Sequence, residues 1–142
     1  TAYEIMPSLV GSEMCIRDSF QIPISFLDME EKGETLTYES LTAPPPETLK
    51  TSADIADYGE AVRGRFQDWW KGAEGQDFST DVQTYFGATS RHEMLERTVW
   101  HSTQHTRQVA SLLEQAGVTP DRPLTRDDIR GLPLTETVWD EA

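Results

Sequence analysis

Residues 90–117 read SRHEMLERTVWHSTQHTRQVASLLEQAG, and this stretch decides the fold. Ser90 followed three residues later by Glu93 is the pattern in which a hydroxyl and a carboxylate satisfy the open amides of a helix start. No Gly or Pro interrupts the run through Gln115, and Gly117 stands where a helix end favours a left-handed residue. The spacing predicts a long helix with one buried face. At about 100° per residue, Met94, His101, Val109 and Leu112 all fall within ~40° of His105. Two histidines thus share the stripe that should face the core, whereas His92 falls on the other side.

Working outward toward the N-terminus, Ile55, Tyr58, Val62, Phe66 and Trp69 recur at helical spacing behind Ser52 as N-cap, with Lys71 in the last turn and Gly72 or Gly75 as stops. Phe20, Ile24, Phe26 and Leu27 suggest the back half of another helix ending at Gly33, with Pro23 forcing a kink or a late start. Two long connections separate these elements, one over Leu36–Lys50 with Pro44-Pro45-Pro46, the other over residues 76–89 with Val82, Tyr85 and Phe86 as apolar anchors. Beyond the long helix, Thr119 to Pro123 is a turn, Thr125 with Asp128 caps a short helical piece, and Trp139 is a candidate plug on the surface. The resulting expectation is an all-α fold, an incomplete antiparallel four-helix bundle with long connections. It leaves an apolar groove between the 55–69 and 94–113 stripes, and exposed apolar area of that kind favours a homodimer.

The remaining observations narrow the function. The 142 residues carry 12 basic and 25 acidic side chains, a net charge of −13. Without a basic cluster to reverse that sign, the chain should not bind nucleic acid. No apolar run approaches the roughly 20 residues of a spanning helix, so a membrane location is not expected and a cytoplasmic one is. Residues 8–19, SLVGSEMCIRDS, resemble translated sequencing-adapter DNA. Residues 1–19 are therefore read as a leader outside the fold, with few packed contacts expected over residues 1–17, although a real N-terminal arm is the alternative. Residues 20–142 form the domain. The single cysteine, Cys15, falls in the leader, which leaves the domain without a thiol of its own.

The chemistry concentrates in His101 and His105. Imidazoles at i and i+4 stack on adjacent turns of one face and can each offer a nitrogen to one metal ion. The alternative is a pair of hydrogen-bonded core histidines. The metalloprotease pattern is excluded, since His-Glu-x-x-His needs a glutamate where this chain has Ser102.

The run Leu95 to Gln108, with Pro120-Asp-Arg-Pro-Leu, Gly131-Leu-Pro-Leu and Val138-Trp139-Asp140, resembles the DinB-like superfamily of metal-binding helical bundles. It is most similar to the subgroup that follows a glutaredoxin-like domain, where segments like Ile22-Pro-x-x-Phe-Leu-Asp and Leu36-Thr-Tyr-Glu recur. The resemblance implies a bacterial protein with a divalent metal, zinc or nickel, held by three histidines, two of which match His101 and His105. It also implies a thiol-dependent transferase or isomerase using a low-molecular-weight thiol such as glutathione. The family's first histidine would fall at Asp18, so the match departs there, and on this reading the chain is a truncated, C-terminal piece. A non-catalytic binding or stress-response accessory module with structural histidines is the competing function.

Overall fold

The computed structural model describes residues 17–139, with side chains from Ser19 onward. The leader reading of residues 1–19, and the lack of packed contacts expected over residues 1–17, therefore lie almost entirely outside the described residues. A π-helical turn, Arg17–Gln21, leads into α1, Ile22–Lys32. Pro23 is the second residue of α1, where the pairing changes from the π-helical turn to α-helix with Gln21 already helical, so the backbone is helical before the proline and the helix does not begin there. A four-residue turn of helix, α2, spans Tyr38–Leu41, and α3 runs from Ser52 to Ala73. Thr51, one residue before the expected cap, closes α3 in a capping box with Asp54. The longest element, α4, spans Arg91–Gln115 with Ser90 and Glu93 as its capping box. At its end Gly117 takes φ +76°, the Gly117 amide bonds the Glu114 carbonyl at 2.9 Å, and the Val118 amide bonds Leu113 at 2.8 Å. Those two bonds make a Schellman stop, which needs a residue without a Cβ at that point.

The all-α four-helix expectation is corrected by residues 81–90. They form an antiparallel hairpin, β1 Asp81–Thr84 and β2 Gly87–Ser90, paired from Asp81 opposite Ser90 to Thr84 opposite Gly87. Val82 and Thr84 turn inward while Asp81 and Gln83 face water, a period of two that no helix can satisfy. Tyr85 and Phe86 make the two-residue loop, which Thr84 tightens by donating from Oγ1 to the Gly87 carbonyl at 2.6 Å. Leu36 adds a parallel bridge to Thr84, through its amide to the Gln83 carbonyl and the Tyr85 amide to its own. The described architecture is therefore four helices, the short α2 among them, plus a hairpin. The short helix expected at Thr125 is a run of turns, although the Thr125 and Asp128 side chains do cap it.

The core forms where the hairpin, α1 and the start of α4 meet: Phe26, Met29, Leu36 and Met94 are buried together, with Phe66, Trp69 and Val82 packed against them. Phe26 stacks on Phe66 and meets Trp69 edge-on, which ties α3 to α1. α1 packs on both α3 and α4. Beside it, the described residues leave an open apolar groove of about 670 Å³, lined by Phe20, Ile55, Val62, Phe66 and Val99. Among the described residues no helix is long and apolar enough to cross a membrane.

Candidate functional site

One face of α4 carries the buried Met94 and Thr98 and, in the following turns, the half-buried His101 and His105. Thr98 is 1% exposed, and its hydroxyl is satisfied within the helix by the Met94 carbonyl at 2.7 Å, so it fills the core without competing for a ligand. One turn later the His101 and His105 rings lie 4.9 Å apart, centroid to centroid, tilted by 56°. The structure thus brings together the two residues that the i, i+4 spacing singles out. The His101 Nε2 is buried, and the Trp100 ring stands edge-on to the imidazole at 5.6 Å.

His105 is oriented from its own helix. Its Nδ1 lies 3.0 Å from the Gln108 side-chain carbonyl oxygen. A carbonyl oxygen at that distance can accept a proton from Nδ1, which is the kind of contact by which a neighbour orients a ligating histidine. Further along, Gln104 donates to the Val138 carbonyl at 2.7 Å and Arg107 to that of Thr135 at 3.0 Å, so α4 also carries the C-terminal segment. Trp139, the expected plug, remains 45% exposed.

His92 behaves as its position on the opposite face requires. It is exposed and lies 3.8 Å from Glu96. The Asp18 side chain, at the position where the family's first histidine would fall, lies outside the described residues. The metal-binding expectation is therefore corrected for the described part of the chain: among those residues no group of three or more His, Cys, Asp or Glu side chains could hold a metal ion. Two neutral imidazoles suit zinc or nickel as nitrogen donors, but they make two ligands where a catalytic zinc site takes three.

One functional candidate escaped the periodicity argument. Arg97 precedes His101 by four residues, on the same side of α4, and both line a cavity of about 150 Å³ under the hairpin loop. The i, i+4 relation to His101 was the signal available in the sequence. The other walls come from Leu36, Tyr38 and Tyr85, which only the fold brings near.

No protein-family model matches the chain, and no curated protein or solved structure matches it either.

Proposed function

We propose that this chain is part of a cytoplasmic, thiol-dependent transferase or related enzyme, in which His101 and His105 supply two of the donors to a divalent ion and a third donor comes from beyond the described residues. The carrying observation is the pair itself, two imidazoles 4.9 Å apart on adjacent turns, one of them 3.0 Å through Nδ1 from the Gln108 side-chain oxygen. The motif likeness to the DinB-like superfamily supports the reading at the level of these residues, and the described architecture lends it no support. When bound, a divalent ion supplies Lewis acidity, which keeps a thiol beside it in the thiolate form. The chain's own contribution is positional: α4 holds both rings on one face, and the core around Met94 and Thr98 anchors the preceding turns. Glutathione or a similar small thiol is the proposed partner, as the likeness to the DinB-like superfamily implies.

Calorimetric titration of zinc and of nickel into the full chain tests the reading. Saturable uptake that is lost in both His101→Ala and His105→Ala is the expected result. Uptake that survives either substitution, or no uptake at all, overturns it and leaves the histidines as packing groups of a non-catalytic module.

A further inference from the structure

The cavity beneath the hairpin loop has a use that the histidine pair does not explain. Its apolar wall includes Leu36 and Met94, 2% and 4% exposed, so that side is rigid core. Tyr38 and Tyr85 stand at its surface side, both more than half-way to open water or at that point, with their rings 5.8 Å apart and edge-on. Arg97 and His101, one helical turn apart, are the ionisable residues of α4 that line it, with Thr42 and Thr98 as further polar neighbours.

Arg97 is one of four arginines among the described residues, with Arg107, Arg122 and Arg126, that make no ion pair, and the one of the four that lines this cavity. Arg63, Arg65, Arg91 and Arg130 are each paired with a carboxylate. Among the described residues no carboxylate lies within ion-pair distance of Arg97, whose guanidinium instead sits 5.3 Å from the centre of the Phe86 ring. A guanidinium stacked on a ring keeps its planar edge of donors available, and that edge matches a carboxylate in two parallel bonds. The chain's net charge of −13 opposes anions. That field is screened over about 8–10 Å at ordinary salt, whereas a contact with Arg97 acts at about 3 Å, so the local charge prevails.

Size sets the rest of the ligand. An apolar cavity of about 150 Å³ holds one benzene-sized ring. We propose that this cavity binds a small aromatic or short-chain carboxylate, with the apolar body against Leu36 and Met94 and the carboxylate on Arg97. A role for that ligand as second substrate, beside His101, rests on the function proposed above; its binding does not.

The test is an amide NMR titration of the full chain, without added metal, using benzoate and the neutral benzyl alcohol as probes. Benzoate is expected to give saturable shifts at Leu36, Tyr85 and Met94 and to bind at least about fivefold more tightly than the alcohol. Arg97→Gln, an exposed substitution, should abolish that preference and leave the alcohol's affinity unchanged. Equal affinities for acid and alcohol, a preference that survives Arg97→Gln, absence of saturable shifts, or shifts confined to Ile55 and Val62 in the open groove would each overturn the proposal. Because no metal is present, failure of the histidine reading leaves this result standing, and loss of Arg97 should leave zinc uptake by the histidines intact.

Discussion

Arg91 and Glu30 meet through two nearly parallel hydrogen bonds, Nε to Oε1 at 3.0 Å and Nη2 to Oε2 at 2.5 Å, and so lock the first residue of α4 to α1. The Glu30 side chain is 5% exposed and that of Arg91 17%. Arg91 also donates to the Asp77 carbonyl and lies 4.4 Å above the Phe78 ring, gathering the segment before the hairpin. The hydrogen bonds to Glu30 hold its pKa above the usual arginine value.

Removing one partner should cost more than the pair is worth. A buried carboxylate left without its cation is destabilised by about 3–5 kcal/mol, much of which is desolvation that the missing charge no longer offsets. Urea unfolding of Arg91→Met, Glu30→Leu and the double variant is expected to show each single change costing about 3 kcal/mol. The double variant should recover part of that loss, which strictly additive effects would contradict.

Leu36 is the second point of stability that the hairpin creates. It is 2% exposed, bridges Thr84 through the backbone and joins the cluster of Phe26, Met29 and Met94. Leu36→Ala should cost about 2–5 kcal/mol, the range for a cavity in a close-packed core, measured by the shift in the urea midpoint. A cost below about 1 kcal/mol would mean that the hairpin does not fold as part of the core.

That residue also shows where sequence reading stops. α4 was legible because every local signal agreed, from the Ser90–Glu93 box to Gly117, over 25 residues. α3 was nearly so, missing by one residue because Thr51 and Ser52 are both good caps. The hairpin was not, since its strands have four residues each and show the period of two only at Val82 and Thr84. Leu36 looked like part of a connection because its bridging partner lies 48 residues away, as the pairing with Thr84 shows. The histidine pair was legible for the reason α4 was. Arg97 gains its meaning only after Tyr38 and Tyr85 arrive from other segments.

Acid should weaken the chain through Asp28. Burial pushes its pKa up, but hydrogen bonds from Arg65 and Lys32 and their charges outweigh it and hold the carboxyl below its ordinary value. A pKa lower in the folded state than in the unfolded one stabilises fully above the unfolded value and stops doing so as pH falls through the folded one. Repulsion among the many unpaired carboxylates works in the opposite direction, so the informative quantity is a difference. Asp28→Asn is expected to be less stable than the wild type by about 1 kcal/mol near pH 7, given that the site is partly exposed. The gap should narrow as pH falls below about 4, where the wild-type carboxyl also loses its charge. A gap that stays constant down to about pH 2 would mean that the effect is one of packing and not of charge.

The last expectation separates a chelate from two independent histidines. Two donors on one ion act as a unit, because the second nitrogen binds without a further loss of translational freedom. His101→Ala and His105→Ala should therefore each reduce zinc affinity nearly as far as the double variant does. Gln108 enters through orientation alone. Its oxygen lies 3.0 Å from His105 Nδ1, and on the proposed reading it accepts from Nδ1 and leaves Nε2 for the ion. Loss of such a partner typically costs 10- to 100-fold in metal affinity, by about the same argument that fixes the tautomer. Gln108→Leu should thus weaken zinc binding about tenfold while lowering the stability of the metal-free chain by no more than about 1 kcal/mol, the contribution of one half-buried hydrogen bond. Gln108→Glu keeps the acceptor and should retain the affinity. Zinc binding indifferent to both changes would show that Gln108 does not set the His105 tautomer, and losses from the two single histidine variants that simply add would show that the two rings do not share an ion.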